Sequence, residues 1–465
     1  MRRIECRPPY SAFTPARRRF ILGVVTASGF FGPLCGAVYL PSLVLFEDVF
    51  DVSATVINAT VSVYMAVFAI APLFGAAASD YGGRKTVYIF GLGSFLISNI
   101  LLASIPANIT ALFILRTFQA LGSCIVFSVG AGTVADITEP KSRASSLAWF
   151  LLGPQLGPIL GPLIGGQFAD MSRWRWIFGF LALACAPVYF MIVFMLPETL
   201  RSLVGNGQAL ANQPWFSIPK LPIKPVEGLD GSKFSKPPRP TFKKFYQLLQ
   251  YPPYLIVSVN GALQFAGLYV IYITFPKVWQ VKFGFSTAEV GYAFLVPGFG
   301  LFIASIVFGR LSDIMRAKAI KNSSDGGIAP ERRLPIQIVG FVVGAGGKVM
   351  YGWCSQYNVH PVGGLFGSMF AAIGVAIIFV TSTSFQTECD PSQAASLVAL
   401  GGLLRNIAAA IGAATIDSLV KKMGYGWCLV GLAALDLICI LGIILITTKG
   451  AKFREQLDLK LKANK

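Results

Sequence analysis

The sequence predicts an all-α polytopic membrane protein of twelve transmembrane helices in two pseudo-symmetric six-helix bundles. Three observations predict it. First, only 13% of the 465 residues are charged and 54% are hydrophobic, whereas a soluble domain carries about a quarter charged residues. Second, the chain holds twelve apolar segments of the roughly 20 residues that a bilayer core requires. Third, six segments precede a polar break and six follow it, with matching acid-then-base loops in the two halves.

The segments run roughly over 20–45, 54–79, 85–105, 109–135, 143–168, 175–196, 252–276, 286–312, 334–354, 361–387, 393–420 and 425–447. They are numbered here as spans one to twelve. Residues 1–19 are polar and basic, and the apolar stretch after them is too long for a signal-peptide core, so span one is expected to be retained. Span nine is the weakest in hydropathy because it holds Lys348 and several glycines. The expected divisions are a tail at 1–19, an N-terminal bundle at 20–196, a linker at 197–251, a C-terminal bundle at 252–447 and a tail at 448–465. The linker is rich in Pro and Lys, which gives it polyproline character, and Lys243 to Leu249 is expected to form a short amphipathic surface helix.

Span five contains GPQLGPILGPLIGG, residues 153–166. Glycines four apart stack on one helical face, so Gly153, Gly157, Gly161 and Gly165 form a bare ridge, with Pro154, Pro158 and Pro162 beside it and Gly166 closing the run. In a water-soluble helix each interior proline costs ~3 kcal/mol. A membrane helix tolerates such residues because its neighbours satisfy the freed backbone groups. The ridge is expected to let another backbone approach closely. Span eleven, with Gly401, Gly402, Ala408, Ala409, Gly412 and Ala413, offers a second small-residue surface.

Charge placement sets the orientation. With the N-terminus inside, inner segments hold thirty Lys and Arg, outer segments hold six, and Arg116, Lys348 and Arg405 remain within spans. Both termini are therefore expected in the cytoplasm. The net charge of +18 is explained by topology and by attraction to anionic lipid, not by nucleic acid.

Several function classes are disfavoured. The eight cysteines are scattered without a CxxC pair and His360 is the single histidine, so neither a disulfide framework nor a metal site is expected, and no catalytic cluster is present. No GxxxxGK[ST] loop occurs, which argues against ATP drive. No cofactor is expected.

The repeated loops are GAAASDYGGRK after span two, with Asp80, Gly83, Arg84 and Lys85, and GRLSDIMRAK after span eight, with Gly309, Asp313, Arg316 and Lys318. Transporters are commonly built from such repeats, with the substrate site near the midplane. Together the motifs resemble the major facilitator superfamily, and within it the twelve-span drug:proton antiporters. Asp80-x-x-Gly83-Arg84-Lys85 resembles the family's signature loop, Arg116-x-x-Gln119-x-x-Gly122 its span-four motif, and the span-five run its antiporter motif. Trp174-Arg175-Trp176-Ile177-Phe178, Pro197-Glu198-Thr199 and Pro330-Glu331-Arg332-Arg333-Leu334 resemble fungal members, and the whole is similar to fungal quinidine-resistance-type multidrug exporters. Two departures stand out: Tyr81 follows the loop aspartate where the family has a basic residue, and Ala76 stands four before it where the family has glycine.

The resemblance implies export of small amphipathic compounds by alternating access, coupled to protons, by a monomer in the plasma membrane or the vacuolar membrane. A metabolite carrier for amino acids, polyamines or organic acids is the alternative, and a non-transporting sensor on the same fold is another. Asp80, Arg84 and Asp136 are expected to form a conformational latch, with Asp313 and Arg316 a weaker copy; the bland alternative is ordinary interfacial charge. Arg116 lies inside a span, where a charge costs ~3 kcal/mol or more, so it and Gln119 are candidates for proton or substrate coupling. Arg405 is a third, mid-membrane and without an evident partner. Lys348 and Asp436 lie at comparable depths and are expected to pair. The candidate proton carriers are Asp136, Asp417 and Asp436, since spans one, four, seven and ten hold no central carboxylate. That inventory makes a neutral, zwitterionic or anionic substrate at least as plausible as a cationic one. The cavity-lining candidates are Phe30, Phe31, Tyr39, Asn260, Gln264, Tyr269, Tyr272 and Phe379; each taken alone is better explained by packing than by substrate contact.

Overall fold

A computed structural model describes residues 11–139, 143–168, 170–207, 251–321, 330–357, 359–389 and 394–463. Every regular element among them is helical. The expected surface helix at 243–249 and most of the linker lie outside the described residues.

The twelve spans are realised as helices. Span one is Pro15–Val38, followed by a 3-10 turn at Leu40–Ser42 and a short helix at Leu43–Phe50. Spans two to six are Ala54–Gly82, Arg84–Ser104, Ile109–Ile137, Arg143–Phe168 and Arg175–Met195. Span seven is Pro252–Lys277, and span eight joins Thr287–Ala293 to Leu295–Lys321. Spans nine and ten are Ile336–Tyr357 and Pro361–Cys389. Spans eleven and twelve form one helical run, Ala394–Ala463, broken at Gly424 (φ 74°). Among the described residues, nine stretches are long and apolar enough to cross a membrane; one of them, Leu397–Gly450, contains both spans eleven and twelve. Spans five and nine are not among the nine. Glycines and Lys348 lower the apolar signal of span nine, and several side chains in the first half of span five lie outside the described residues.

Local chemistry sets several boundaries. Asn108 accepts a hydrogen bond from the Ala111 amide and starts span four, satisfying one of the free N–H groups of a helix N-terminus. Ser286 and Glu289 form a capping box that starts span eight. At Gly424 a side chain would meet Gln356 Oε1 at 2.5 Å as well as an unfavourable φ, so only glycine fits this turn.

Packing divides the chain into two compact units: residues 1–37, 70–161 and 175–240, and residues 38–69, 162–174 and 241–465. In the first unit, spans three and four touch backbone to backbone: a Cβ on Gly122 would collide with the Gly91 carbonyl. In the second unit, Val257, Phe341, Ile378, Phe385, Cys439, Ile443 and Ile446 form an apolar core shared by spans seven, nine, ten and twelve. Large apolar side chains such as Phe90, Leu183, Phe299, Ile411 and Leu441 are more than half exposed, as lipid-facing residues should be.

Candidate functional site

The signature loop is built around one carboxylate. Gly83 caps span three with φ 97°, and Glu198, just after span six, reaches it from 114 residues away in sequence. Glu198 Oε1 accepts from the Arg84 amide at 2.9 Å and Oε2 from the Lys85 amide at 3.1 Å. Oε1 also accepts from the Thr199 and Leu200 amides at 2.9 Å. A carboxylate here satisfies the free N–H groups of span three and complements the positive end of its dipole. A Cβ on Gly83 would lie 2.6 Å from Glu198 Oε2, so the approach requires glycine.

The same turn aims Arg84. Its Nε donates to Asp136 Oδ2 at 3.0 Å and its Nη1 to Ser79 Oγ at 2.7 Å. Gly132 gives the guanidinium room, since a Cβ there would lie 2.8 Å from Arg84 Cζ. Arg201 donates from Nε to the Asp136 carbonyl at 2.9 Å, holding the end of span four from a second side. Spans two, three and four and the segment after span six are thus tied at one place. The side chains of Asp80, Asp313 and Arg316 lie outside the described residues.

Arg116 is 1% exposed. Its Nη1 donates to the Cys35 carbonyl of span one at 3.4 Å and lies 3.7 Å from Cys35 Sγ. Gln119 is fully buried and donates from Nε2 to Asn99 Oδ1 of span three at 2.7 Å; Asn99 in turn donates to the Phe95 carbonyl. This face of span four therefore bonds to spans one and three.

The span-five glycines meet backbone. In the first unit, a Cβ on Gly153 would lie 2.5 Å from the Thr26 carbonyl oxygen, and one on Gly157 2.6 Å from the Leu34 nitrogen, both in span one. In the second unit, Gly165 packs on Val38 backbone, Gly166 lies against Thr287 and Gly291, and a Cβ on Gly291 would meet the Pro162 carbonyl. The bare ridge is a track for span one along most of its length. Pro154 also packs on Gly29 of span one.

Within the second unit, Lys348 Nζ donates to Asp436 Oδ2 at 2.6 Å and to Gln264 Oε1 at 3.2 Å. Lys348 and Asp436 are 0% and 1% exposed, so the expected pair exists and is desolvated. Gly267 makes room for the lysine end. Asn260 donates to the Cys439 carbonyl at 3.2 Å. Tyr39 is fully buried, hydrogen-bonded to Thr60 and stacked on Phe46. Tyr272 is buried between Tyr269 and Phe294. Phe31 is buried against Phe95, and Phe30 is half-buried. Phe379 keeps 38% of its surface exposed, and the Arg405 guanidinium lies over its ring at 4.8 Å.

Asp417, one of the candidate proton carriers, anchors a polar cluster. It accepts from Thr55 Oγ1 at 2.9 Å and pairs with Lys421 at 2.8 Å and Lys277 at 3.6 Å. Nearby, Gln280 donates to the Pro41 carbonyl at 3.2 Å. Among the described residues no group of His, Cys, Asp and Glu could hold a metal ion.

Twelve membrane-spanning helices with side-chain-free tracks between them are the architecture of a membrane transporter. The family model of the Major Facilitator Superfamily matches residues 25–413, and the chain belongs to that family. Dityrosine transporter 1 of Saccharomyces cerevisiae is 39% identical over 94% of this chain and 80% of its own length. Multidrug transporter DTR1 of Candida glabrata is 36% identical over 96% of this chain and 86% of its own. Among solved structures, the xylose transporter XylE from E. coli superposes with a TM-score of 0.65 at 15% identity, covering 93% of this chain and 99% of that one. The human organic anion transporter MFSD10 superposes at 0.57 and 19% identity, covering 93% and 100%. Both superpositions bear on the fold. Members of this family bind small-molecule substrates, and the relatives and structural neighbours are transporters, not enzymes.

Proposed function

We propose that the chain exports small amphipathic compounds, drugs and xenobiotics among them, by alternating access in exchange for protons. The observation that carries this reading is the antiporter-type run of span five. Gly153, Gly157 and Gly165 lie on span-one backbone, so span five can slide or hinge against span one without side chains in the way. The family match and the name of the Candida glabrata relative support the substrate class.

In this account the basic loops and both termini face the cytoplasm, and the molecule works as a monomer in the plasma membrane or the vacuolar membrane. The two working bundles are 20–196 and 252–447, joined by the 197–251 linker. Arg84 and Asp136 act as a latch whose pairing belongs to one of two conformations, and a proton or substrate biases the choice. Arg116 and Gln119 position span four on spans one and three.

A second reading has its own support. The Saccharomyces cerevisiae relative is named for dityrosine, which makes an amino-acid-derived metabolite a natural substrate. The test is accumulation of a compound panel in proteoliposomes holding the purified chain, with and without an imposed pH gradient. Gradient-dependent accumulation of amphipathic drugs supports the first reading. Accumulation confined to amino-acid derivatives supports the second. Flux that ignores the gradient removes proton coupling from both.

A further inference from the structure

Arg405 sits in span eleven, eleven residues beyond Ala394. At 1.5 Å per residue that is about 17 Å along the helix, near the middle of a bilayer core about 30 Å thick. A cation there costs at least ~3 kcal/mol and marks a functional site unless a protein group neutralises it. Two buried carboxylates of the second unit are engaged elsewhere: Asp436 with Lys348, and Asp417 with Thr55, Lys277 and Lys421. Among the described residues no hydrogen bond or ion pair from Arg405 is found; its guanidinium lies over the Phe379 ring and beside Gly402.

Both residues lie away from the lipid-exposed stripe of their helices. Ala399, Ile407, Ile411 and Ala414 are exposed positions near Arg405 on span eleven. At 100° per residue they lie about 120–240° round the helix from Arg405. On span ten, Phe366 and Phe370 are exposed to the lipid side. Phe379 lies about 180–220° round from them and is still 38% exposed. Arg405 is partly exposed as well. Both residues are thus partly exposed and lie opposite the lipid stripe of their own helix. The phenyl ring covers one face of the guanidinium and leaves donors at its edge.

From this arrangement we propose that Arg405 and Phe379 form the recognition site for a carboxylate-bearing aromatic substrate. The planar fork of N–H donors matches a carboxylate in two parallel hydrogen bonds, and the exposed ring gives an apolar surface for the adjoining aromatic body. The ligand's negative charge supplies a neutralisation that no ion pair among the described residues gives Arg405. This deepens the export reading, on which it rests, by naming the substrate's charged group.

The experiment uses the full-length chain in proteoliposomes and two probes that differ only at the acid: N-acetyl-tyrosine and N-acetyl-tyrosinamide. Wild type should prefer the carboxylate. Arg405→Gln should weaken handling of the carboxylate about 10- to 100-fold, the worth of a charge-assisted hydrogen bond, and weaken the amide, whose carbonyl makes only a neutral-acceptor bond, much less. Arg405→Lys should retain part of the preference, because a lysine keeps the charge and loses the fork. Melting temperature and gel-filtration profile identify any variant that is merely unfolded, and Phe379→Leu, which keeps the arginine, should weaken both aromatic probes together. An unchanged carboxylate-to-amide ratio in Arg405→Gln overturns the assignment, as does an equal loss of both probes in a folded variant. If wild type moves neutral or cationic amphipaths but neither probe, the assignment falls and the export reading stands. If wild type moves no compound of a broad panel, the export reading falls and takes the assignment with it.

Discussion

Lys348 and Asp436 meet at 2.6 Å with both side chains essentially removed from solvent. The pair joins spans nine and twelve, and Gln264 of span seven completes the site. Taking one charge away leaves the other buried and uncompensated, which costs ~3–5 kcal/mol. Asp436→Asn should therefore lower thermal stability markedly in purified protein. The double variant Lys348→Met with Asp436→Leu should recover most of that loss, because an apolar pair of similar size removes both desolvation costs. Recovery in a thermal melt checks this; a double variant as unstable as the single one contradicts it.

Glu198 collects four backbone N–H groups at the start of span three and just after itself. Glu198→Ala should cost about 2 kcal/mol, in the range of a lost cap and a charged hydrogen bond. Glu198→Gln keeps an acceptor oxygen and should cost less. Hydrogen exchange should localise the change to the amides of Arg84 and Lys85.

Gly83 combines φ 97° with a carboxylate 2.6 Å from where a Cβ would stand. Gly83→Ala should cost ~1–3 kcal/mol through backbone strain, plus displacement of Glu198. Combining it with Glu198→Ala should give less than the sum of the two losses, since the residues share one site. A thermal-melt double-mutant cycle measures that coupling.

Gly157→Leu places a branched side chain where a Cβ alone would lie 2.6 Å from the Leu34 nitrogen. Transport should be abolished while membrane insertion and expression remain. Gly157→Ala should already impair transport, because the obstacle is backbone and cannot rotate away. Flux measured beside surface labelling separates the two effects. Normal flux in the leucine variant would return the ridge to simple packing.

Much of this was legible before any coordinates. The twelve spans follow from apolar length, and the Gly153–Gly165 ridge follows from four-residue spacing on a helix. The Lys348–Asp436 pair could be read because two intramembrane charges of opposite sign at one depth have few other partners. What was not legible depends on tertiary approach. Nothing in local periodicity says that Glu198 folds back onto Gly83, although the Pro197-Glu198-Thr199 run marked the place. The bond from Thr55 to Asp417 spans 362 residues of sequence, and depth alone could not pair them. Gln119, a candidate for proton or substrate coupling, donates to Asn99 of span three, and a motif's spacing does not state which neighbour its face meets. Arg405 was visible as a lone intramembrane cation; its contact with Phe379 was not.

The central claim is exchange of an amphipathic compound against protons, and the most direct measurement is internal pH. Purified protein in liposomes loaded with a pH-sensitive dye is challenged with one compound at a time, with no imposed gradient. The account predicts a pH change that appears only with transported compounds and disappears in Gly157→Leu. Saturable movement of a compound with no change in internal pH would contradict it.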